Sequence, residues 1–323
     1  MNRLYRLTGL LILATTAILI SQPASADYKQ AVAYYMQGRY DKTIQELKPD
    51  LDQNPEWESG HRLLGLCYLN LKNNALAVSS LSRAAQLRSP AAATYIGLGQ
   101  AYFNMEKYTD CLQALNRGEP LAAKEKETEQ FRFYLLRGSA YYRLQSWNEA
   151  VIDLTHALRL GQADWTPYSM LGIAYYNVNR TDEAVQTLEK ALAMNPGQGA
   201  TAEILGKAYF RKGVAALSAK QYAPAVQFLT KARDRNPQDG YAYYNLAEAH
   251  LFLKNYPEAE KALTQALERL PKSPEVFMRM GLVYERQKKY EPALKAYQKA
   301  DDLSPSQALK DAMVRVTELM KQK

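Results

Sequence analysis

The chain has 323 residues, 47% of them hydrophobic, and its formal net charge at pH 7 is +8. Length alone would suggest two domains, and the apolar content is ample for a large core. The 41 basic residues are scattered rather than gathered into one stripe, which argues against nucleic acid as a partner.

Residues 1–26 have the layout of a secretory signal peptide. Arg3 and Arg6 precede the apolar run Leu7–Ile20, and the small residues Ala24, Ser25 and Ala26 follow it. The apolar run is shorter than the roughly 20 residues that span a bilayer, so cleavage after Ala26 is expected and an uncleaved anchor is the alternative. The prediction is a periplasmic or otherwise extracytoplasmic protein. Loss of the two arginines would lower the net charge to +6.

After residue 26 the chain repeats with a period of about 34 residues. Within residues 165–196, two apolar patterns with helical spacing are separated by Asn179, Arg180 and Thr181, which predicts a pair of helices. If Trp165 is counted as position 1, a small residue recurs at position 8 in Ala31, Gly65, Gly99, Gly138, Gly172, Gly213, Ala247 and Gly281. Eight copies in phase indicate a stack of helix pairs.

The unit resembles the tetratricopeptide repeat (TPR) signature. The residues that carry the resemblance are Tyr168 (in place of the usual Trp), Leu171, Gly172, Tyr175, Ala184, Leu188, Ala191 and Pro196. The resemblance implies an all-α fold, a right-handed superhelical α-solenoid of about eight helix-turn-helix TPR units with a C-terminal capping helix. Repeats 1–3 are assigned to residues 27–118, repeats 4–8 to 131–305 and the capping helix to 306–323, as one continuous solenoid over residues 27–323.

Two irregularities interrupt the period. A charged insertion at residues 119–130 is predicted to extend the first helix of repeat 4. In repeat 6, Gly206 and Gly213 both satisfy position 8, and seven residues are almost two helical turns, so a long first helix is predicted at about 199–220. This helix either packs locally or protrudes as a contact element that carries Lys207, Arg211 and Lys212.

No motif for catalysis is found. The chain has no Gly-x-Ser-x-Gly, P-loop or His-Glu-x-x-His sequence, and its three histidines, His61, His156 and His250, fit ordinary repeat positions. We therefore predict no enzyme activity, no cofactor and no metal. Cys67 and Cys111 occupy positions that favour small buried residues, so they are interpreted as core thiols, with a disulfide as the alternative.

The resemblance also implies where a partner binds. In related repeats, positions 2, 5, 9, 12 and 13 of the first helices line a concave groove. Here these positions carry aromatic, aliphatic and amide side chains that suit an extended peptide. The candidate binding residues are Tyr35, Leu69, Asn70, Phe103, Asn104, Tyr142, Arg143, Tyr176, Asn177, Phe210 and Tyr244. The alternative is that the position-12 aromatic residues only pack against neighbouring helices. The family's clamp for a C-terminal carboxylate looks absent, because no repeat has its Lys at position 5 or its Asn at position 9.

The expected function is that of a non-catalytic adaptor of the cell envelope that binds another protein or peptide in the groove. The alternative is a structural scaffold or self-associating component that uses its convex face or its lengthened helices. Binding of an anionic envelope glycan is a third hypothesis, which rests on the net charge and the tyrosines. No membrane span is expected after signal cleavage, although peripheral association with the envelope is compatible with the charge.

Overall fold

The computed structural model describes residues 26–161 and 164–322, and within these ranges the chain is entirely helical. The predicted signal segment lies outside the described residues except for Ala26. The helices are α1 (Ala26–Met36), α2 (Tyr40–Gln53), α3 (Glu58–Asn70), α4 (Asn74–Gln86), α5 (Ala92–Asn104), α6 (Tyr108–Ala122), α7 (Glu127–Arg143), α8 (Trp147–Leu160), α9 (Trp165–Asn177), α10 (Thr181–Met194), α11 (Gly199–Ser218), α12 (Tyr222–Arg235), α13 (Gly240–Phe252), α14 (Tyr256–Arg269), α15 (Pro274–Arg286), α16 (Tyr290–Leu303) and α17 (Gln307–Lys321).

Each odd-numbered helix up to α15 forms a hairpin with the helix that follows it, which gives eight helix pairs. The turn inside every pair is built in the same way. The residue at position 15 has a left-handed backbone, and the N–H of position 16 donates to the carbonyl of position 11, as in Arg180 to Tyr175 at 2.9 Å. This i to i−5 bond is the Schellman ending of a helix, which satisfies a carbonyl that the helix itself leaves unpaired.

Glycine is the residue best suited to a left-handed position, yet it occupies position 15 only in repeat 1, where Gly38 has φ 72°. The other seven repeats place a longer residue there with φ between 58° and 62°: Lys72, Glu106, Gln145, Asn179, Lys220, Lys254 and Lys288. The turn therefore follows from the packing of the two helices rather than from glycine at its centre.

The chain divides into two compact units, with unit 1 ending at Met170 and unit 2 beginning at Leu171, inside α9. Within each unit a second helix packs between its own first helix and the next first helix, as α4 does between α3 and α5 and as α12 does between α11 and α13. The core of each hairpin is a buried large residue at position 24, which is a leucine such as Leu81 in unit 1 and Leu188 in unit 2, and Tyr297 in repeat 8.

The insertion at residues 119–130 does not belong to one helix. The prediction placed it at the start of the first helix of repeat 4, but α6 continues through Pro120 to Ala122, and α7 begins at Glu127. The last turn of α6 persists because Ala122 is buried in the apolar cluster around Phe133, and Leu121 packs against the same cluster. The inserted residues thus lengthen α6 as well as α7.

The long first helix of repeat 6 is α11, which has 20 residues. Its additional turns pack locally, because Leu205 and Tyr209 are buried and a Cβ at Gly206 would lie 2.9 Å from the Cβ of Arg235 on α12. Among the basic residues expected to protrude, Arg211 donates to the Tyr176 carbonyl at 2.9 Å, and Lys212 donates to Asp182. These two side chains are therefore engaged within unit 2.

The helix after the last repeat, α17, covers the exposed side of α16. Its buried residues Leu309, Ala312 and Val316 join Tyr297 in one apolar cluster. Arg315 of α17 forms two hydrogen bonds of 2.9 Å with the Glu285 carboxylate on α15. An apolar face that repeat 8 would otherwise expose is thereby buried.

Candidate protein-binding groove

The first helices of successive repeats contact one another directly. In unit 1 these contacts run through α1, α3, α5 and α7, and in unit 2 through α11, α13 and α15. Positions 2, 5, 9, 12 and 13 fall on one face of each such helix, because they follow the helical period. We call the surface that these positions form within a unit the first-helix face.

Three of the position-12 aromatic side chains in unit 1 are held by the second helix of their own repeat. Tyr35 contacts Tyr40, Phe103 contacts Tyr108 and Tyr142 contacts Trp147, in edge-to-face geometry with ring centroids 5.3 to 5.6 Å apart. The three position-12 rings are half-buried, so each keeps part of its surface open while its orientation is constrained. The same rings also pack towards the next first helix, since Tyr35 lies against the apolar cluster that contains Leu63, and Phe103 lies against the cluster that contains Leu136.

The partners of these rings could have been recognised in the sequence. Position 17 is aromatic in six of the eight repeats, at Tyr40, Tyr108, Trp147, Tyr222, Tyr256 and Tyr290. An aromatic residue is thus usual at position 17, and it pairs with position 12 in repeats 1, 3 and 4, where both positions are aromatic. The exposed ring edges of these pairs are what a ligand could contact.

The amides predicted to bind a peptide backbone are partly engaged. Asn70 donates to the Leu66 carbonyl at 2.8 Å and lies 3.5 Å from the Tyr35 hydroxyl. Asn177 donates to the Ile173 carbonyl at 2.8 Å. One hydrogen of each Nδ2 group is thus used within its own helix, whereas the Oδ1 atom is the group that could accept a hydrogen bond from a ligand N–H.

Two predicted residues come together where repeats 3 and 4 meet in unit 1. Phe103 packs against Tyr108, and the guanidinium of Arg143 lies 5.0 Å from the centre of the same Tyr108 ring. Arg143 is also 4.0 Å from the Glu106 carboxylate.

The other two candidates of this region make separate contacts. The Asn104 Nδ2 group donates to Asn74 Oδ1 at 3.0 Å. Leu69 is half-buried among the apolar residues that join α3 to α5.

Burial affects the chemistry of the Tyr35 hydroxyl. Loss of solvent around the ring raises the pKa of Tyr35 to about 12. The hydroxyl is therefore neutral at physiological pH and acts as a hydrogen-bond donor or acceptor, without a charge.

Tyr176 in unit 2 is covered by a cation. The guanidinium of Arg211 lies 3.9 Å from the centre of the Tyr176 ring, while its Nη1 donates to the Tyr176 carbonyl and, at 3.0 Å, to Asn179 Oδ1. All of these partners are uncharged, so Arg211 brings a positive charge to this part of the first-helix face.

Farther along unit 2, Tyr244 belongs to a polar cluster. Arg279 donates to the Tyr244 hydroxyl at 3.4 Å and to the Glu248 carboxylate at 2.7 Å. Phe210 instead packs against the apolar cluster that contains Leu229 and Leu246. The first-helix face of unit 2 therefore alternates polar contacts with apolar contacts.

Sequence reasoning missed a buried ion-pair network in unit 1. Arg137 of α7 donates through Nε to Asp153 Oδ2 at 2.6 Å and through Nη2 to Asp153 Oδ1 at 3.0 Å, and it also pairs with Glu119 at 3.0 Å. Burial raises the pKa of Asp153, and the hydrogen bonds from Arg137 oppose this increase because they favour the charged carboxylate. The signal was an arginine directly before Gly138, at a position where the repeat usually buries an apolar side chain.

The thiols of Cys67 and Cys111 are free and buried, and burial raises the pKa of each to about 12. Among the described residues, no group of three or more His, Cys, Asp or Glu side chains could hold a metal ion. In the same part of the chain, no helix has the length and apolar character needed to cross a membrane.

Comparison with known families identifies the repeat. Three family models described as tetratricopeptide repeat match residues 169–240, 216–281 and 274–307. These matches show tetratricopeptide repeats within residues 169–307, and the eight helix pairs among the described residues form an α-solenoid of such units.

Individual relatives match parts of the chain. Mouse mitochondrial import receptor subunit TOM70 is 29% identical over 112 residues, which are 35% of this chain and 16% of TOM70, so the match spans about a sixth of that protein. The solved TPR domain of Arabidopsis OM64 is 29% identical and aligns over 36% of this chain and 98% of its own, with a TM-score of 0.36. MamA from Desulfovibrio magneticus is 25% identical over 55% of this chain and 97% of its own, with a TM-score of 0.38.

Proposed function

We propose that this protein is a non-catalytic adaptor of the cell envelope that holds a partner protein or an extended peptide on its first-helix face. The observation that carries the proposal is the set of half-buried rings at position 12 of unit 1, each oriented by an aromatic residue at position 17. Rings whose orientation is already constrained lose little conformational freedom when a ligand packs against them, which favours binding.

The comparisons support the class of function. TPR proteins are interaction modules, and TOM70, which resembles part of this chain, is a mitochondrial import receptor subunit. The envelope location is proposed from residues 1–26 alone, which have the charge and apolar pattern of a signal peptide.

Site-specific photocrosslinking in the native cell tests the groove. A photoreactive residue replaces Tyr142 on the first-helix face, and a matched control replaces Ile152, which lies on the second helix α8 of the same repeat and is 68% exposed. We expect a discrete protein adduct at position 142 and none at position 152. Tyr142→Ala should weaken capture of the same partner while the helical content measured by circular dichroism is unchanged.

The same experiment distinguishes the alternative scaffold. Equal adducts at both positions, or an adduct at position 152 alone, would contradict binding at the first-helix face and would favour contact through the second helices. The location is tested separately, by cell fractionation and by sequencing the N-terminus of the mature protein. A chain that begins at Asp27 in the extracytoplasmic fraction is expected, and an uncleaved cytoplasmic chain would contradict the proposed location.

A further inference from the structure

Repeat 7 exposes an aromatic side chain that the repeat itself does not require. Phe252 is at position 13, where the other seven repeats have Met36, Asn70, Asn104, Arg143, Asn177, Ser218 and Arg286. The Phe252 side chain is 50% exposed and stacks on Tyr222 of α12, with ring centroids 4.6 Å apart and planes inclined by 10°. Since six of the seven equivalent residues are polar and none is aromatic, the fold alone does not explain the phenylalanine.

Apolar and basic side chains surround this ring pair. Leu253, the next residue, is 37% exposed. Lys220 lies two residues before Tyr222, and Lys254 lies two residues after Phe252, so both lysines start from backbone adjacent to the stacked rings. Both are exposed and have left-handed backbones, with φ of 58° and 62°. We call these five residues, Lys220, Tyr222, Phe252, Leu253 and Lys254, the repeat-7 patch.

The sequence around the repeat-7 patch is depleted of acidic residues. Residues 204–233 contain six basic residues and no acidic residue. Residues 249–257 also contain no acidic residue. Several of these basic residues are paired elsewhere, as Lys207 is with Glu203 and Lys231 with Glu189. The acidic residue that follows Lys254 first in sequence is Glu258, in the first turn of α14.

We propose that the repeat-7 patch binds an acidic segment of the partner protein that contains an aromatic anchor. The anchor ring would pack on Phe252 and Leu253, which removes apolar surface from water, and flanking Asp or Glu side chains would face Lys220 and Lys254. The positive patch would also attract an acidic segment before contact. This inference rests on the proposed function, because it assigns the chemistry of the ligand that the adaptor holds.

The proposal is tested with the full chain and a synthetic fluorescent peptide of alternating glutamate and phenylalanine residues, by fluorescence anisotropy at low and high salt. The comparison peptides replace glutamate with lysine or phenylalanine with serine. We expect binding of the acidic aromatic peptide only, weakened about tenfold or more by Phe252→Ser. Lys220→Gln with Lys254→Gln should weaken binding at low salt and reduce its salt dependence.

Repeat 2 offers a matched control, because Leu71 and Lys72 occupy the positions equivalent to Leu253 and Lys254. Leu71 is exposed, and Lys72 has the same left-handed backbone. The double variant Leu71→Ser and Lys72→Gln should bind the acidic peptide as the unchanged protein does. Equal binding of the lysine peptide, equal binding of the serine peptide, or unchanged affinity of Phe252→Ser would overturn the proposal. The urea midpoint of each variant shows that the chain is folded, and Phe252→Leu, which keeps an apolar anchor, should retain part of the affinity.

Failure of this proposal is distinguishable from failure of the proposed function. If Tyr142 captures a partner in the cell but Phe252→Ser alters neither that capture nor peptide binding, the adaptor function stands and the repeat-7 patch is excluded. If the acidic peptide binds as described but no partner is captured through Tyr142, the patch stands and binding through the first-helix face of unit 1 is contradicted.

Discussion

Gly172 shows how closely the two helices of a repeat approach. The sequence has a small residue at this position in all eight repeats. In the structure, a Cβ at Gly172 would lie 2.6 Å from Cγ of Leu188, so the glycine makes room for the large residue at position 24. The same relation joins Gly65 to Leu81 and Gly213 to Leu229. Small size at position 8 is therefore a requirement of packing between helices rather than of backbone conformation.

Gly172→Ala should lower the free energy of unfolding by about 1–3 kcal/mol, because the new methyl group forces Leu188 or the backbone to move. Gly199→Ala is the matched control, since no atom lies within 4 Å of the position of its Cβ, and it should be neutral or slightly stabilising. Urea unfolding followed by circular dichroism measures both. Equal effects of the two substitutions would contradict close packing at Gly172.

At the scale of elements, the insertion between α6 and α7 is tied to its repeat by the ion pair of Arg137 with Asp153 and Glu119. Arg137 and Asp153 have side chains that are only 10% and 3% exposed. Taking such charges out of water is costly, and the two-pronged geometry compensates for the cost only while both partners are present. The contact thus joins α6, α7 and α8, which are the helices that the insertion altered.

Replacing only Arg137 should lower the unfolding free energy more than replacing Arg137 and Asp153 together. Arg137→Met alone is expected to cost about 3–5 kcal/mol of unfolding free energy, because it leaves the buried Asp153 carboxylate unpaired. Asp153→Leu alone should cost less, because Arg137 keeps its ion pair with Glu119. The double variant should be more stable than the sum of the single effects predicts. A double-mutant cycle in urea measures this difference. Additive single effects would show that the pair has no coupling in the folded protein.

At the scale of the whole molecule, a repeat stack is stabilised mainly by contacts between neighbours, so its ends need special residues. In unit 2 the last hairpin is covered by α17, whose buried side is apolar and whose Arg315 pairs with Glu285. The hydrogen bonds from Arg315 hold the pKa of Glu285 below its usual value.

A carboxyl group with a lowered pKa stabilises the folded state at pH values above its unfolded pKa, and this contribution is lost as pH falls through the folded pKa. Arg315→Gln should therefore lower the urea midpoint at pH 7, by an amount equivalent to about 1 kcal/mol or less. The difference from the unchanged protein should shrink below about pH 4, where glutamate begins to bind protons. Lys310→Gln, an exposed substitution on the same helix, is the control. A difference that is constant from pH 7 to pH 3 would contradict the assignment to Glu285.

The amino-acid sequence by itself determined the helix pairs and the small residue at position 8 of each first helix. A small residue every 34 positions and apolar residues at helical spacing are local signals, and they suffice because each repeat contacts mainly its neighbours. Even the left-handed turn residues at position 15 follow this period, although seven of the eight are not glycine.

Only the tertiary structure decided what the candidate side chains touch. Tyr35, Phe103 and Tyr142 occupy equivalent positions, and their contacts with position 17 depend on how two helices cross. The insertion lengthens α6 as well as α7, because burial of Ala122 outweighs the tendency of Pro120 to end a helix. Phe252 and Tyr222 are 30 residues apart in sequence, and their stacking depends on the approach of α13 to α12. Such contacts arise from geometry between elements, which a periodic pattern along the chain does not encode.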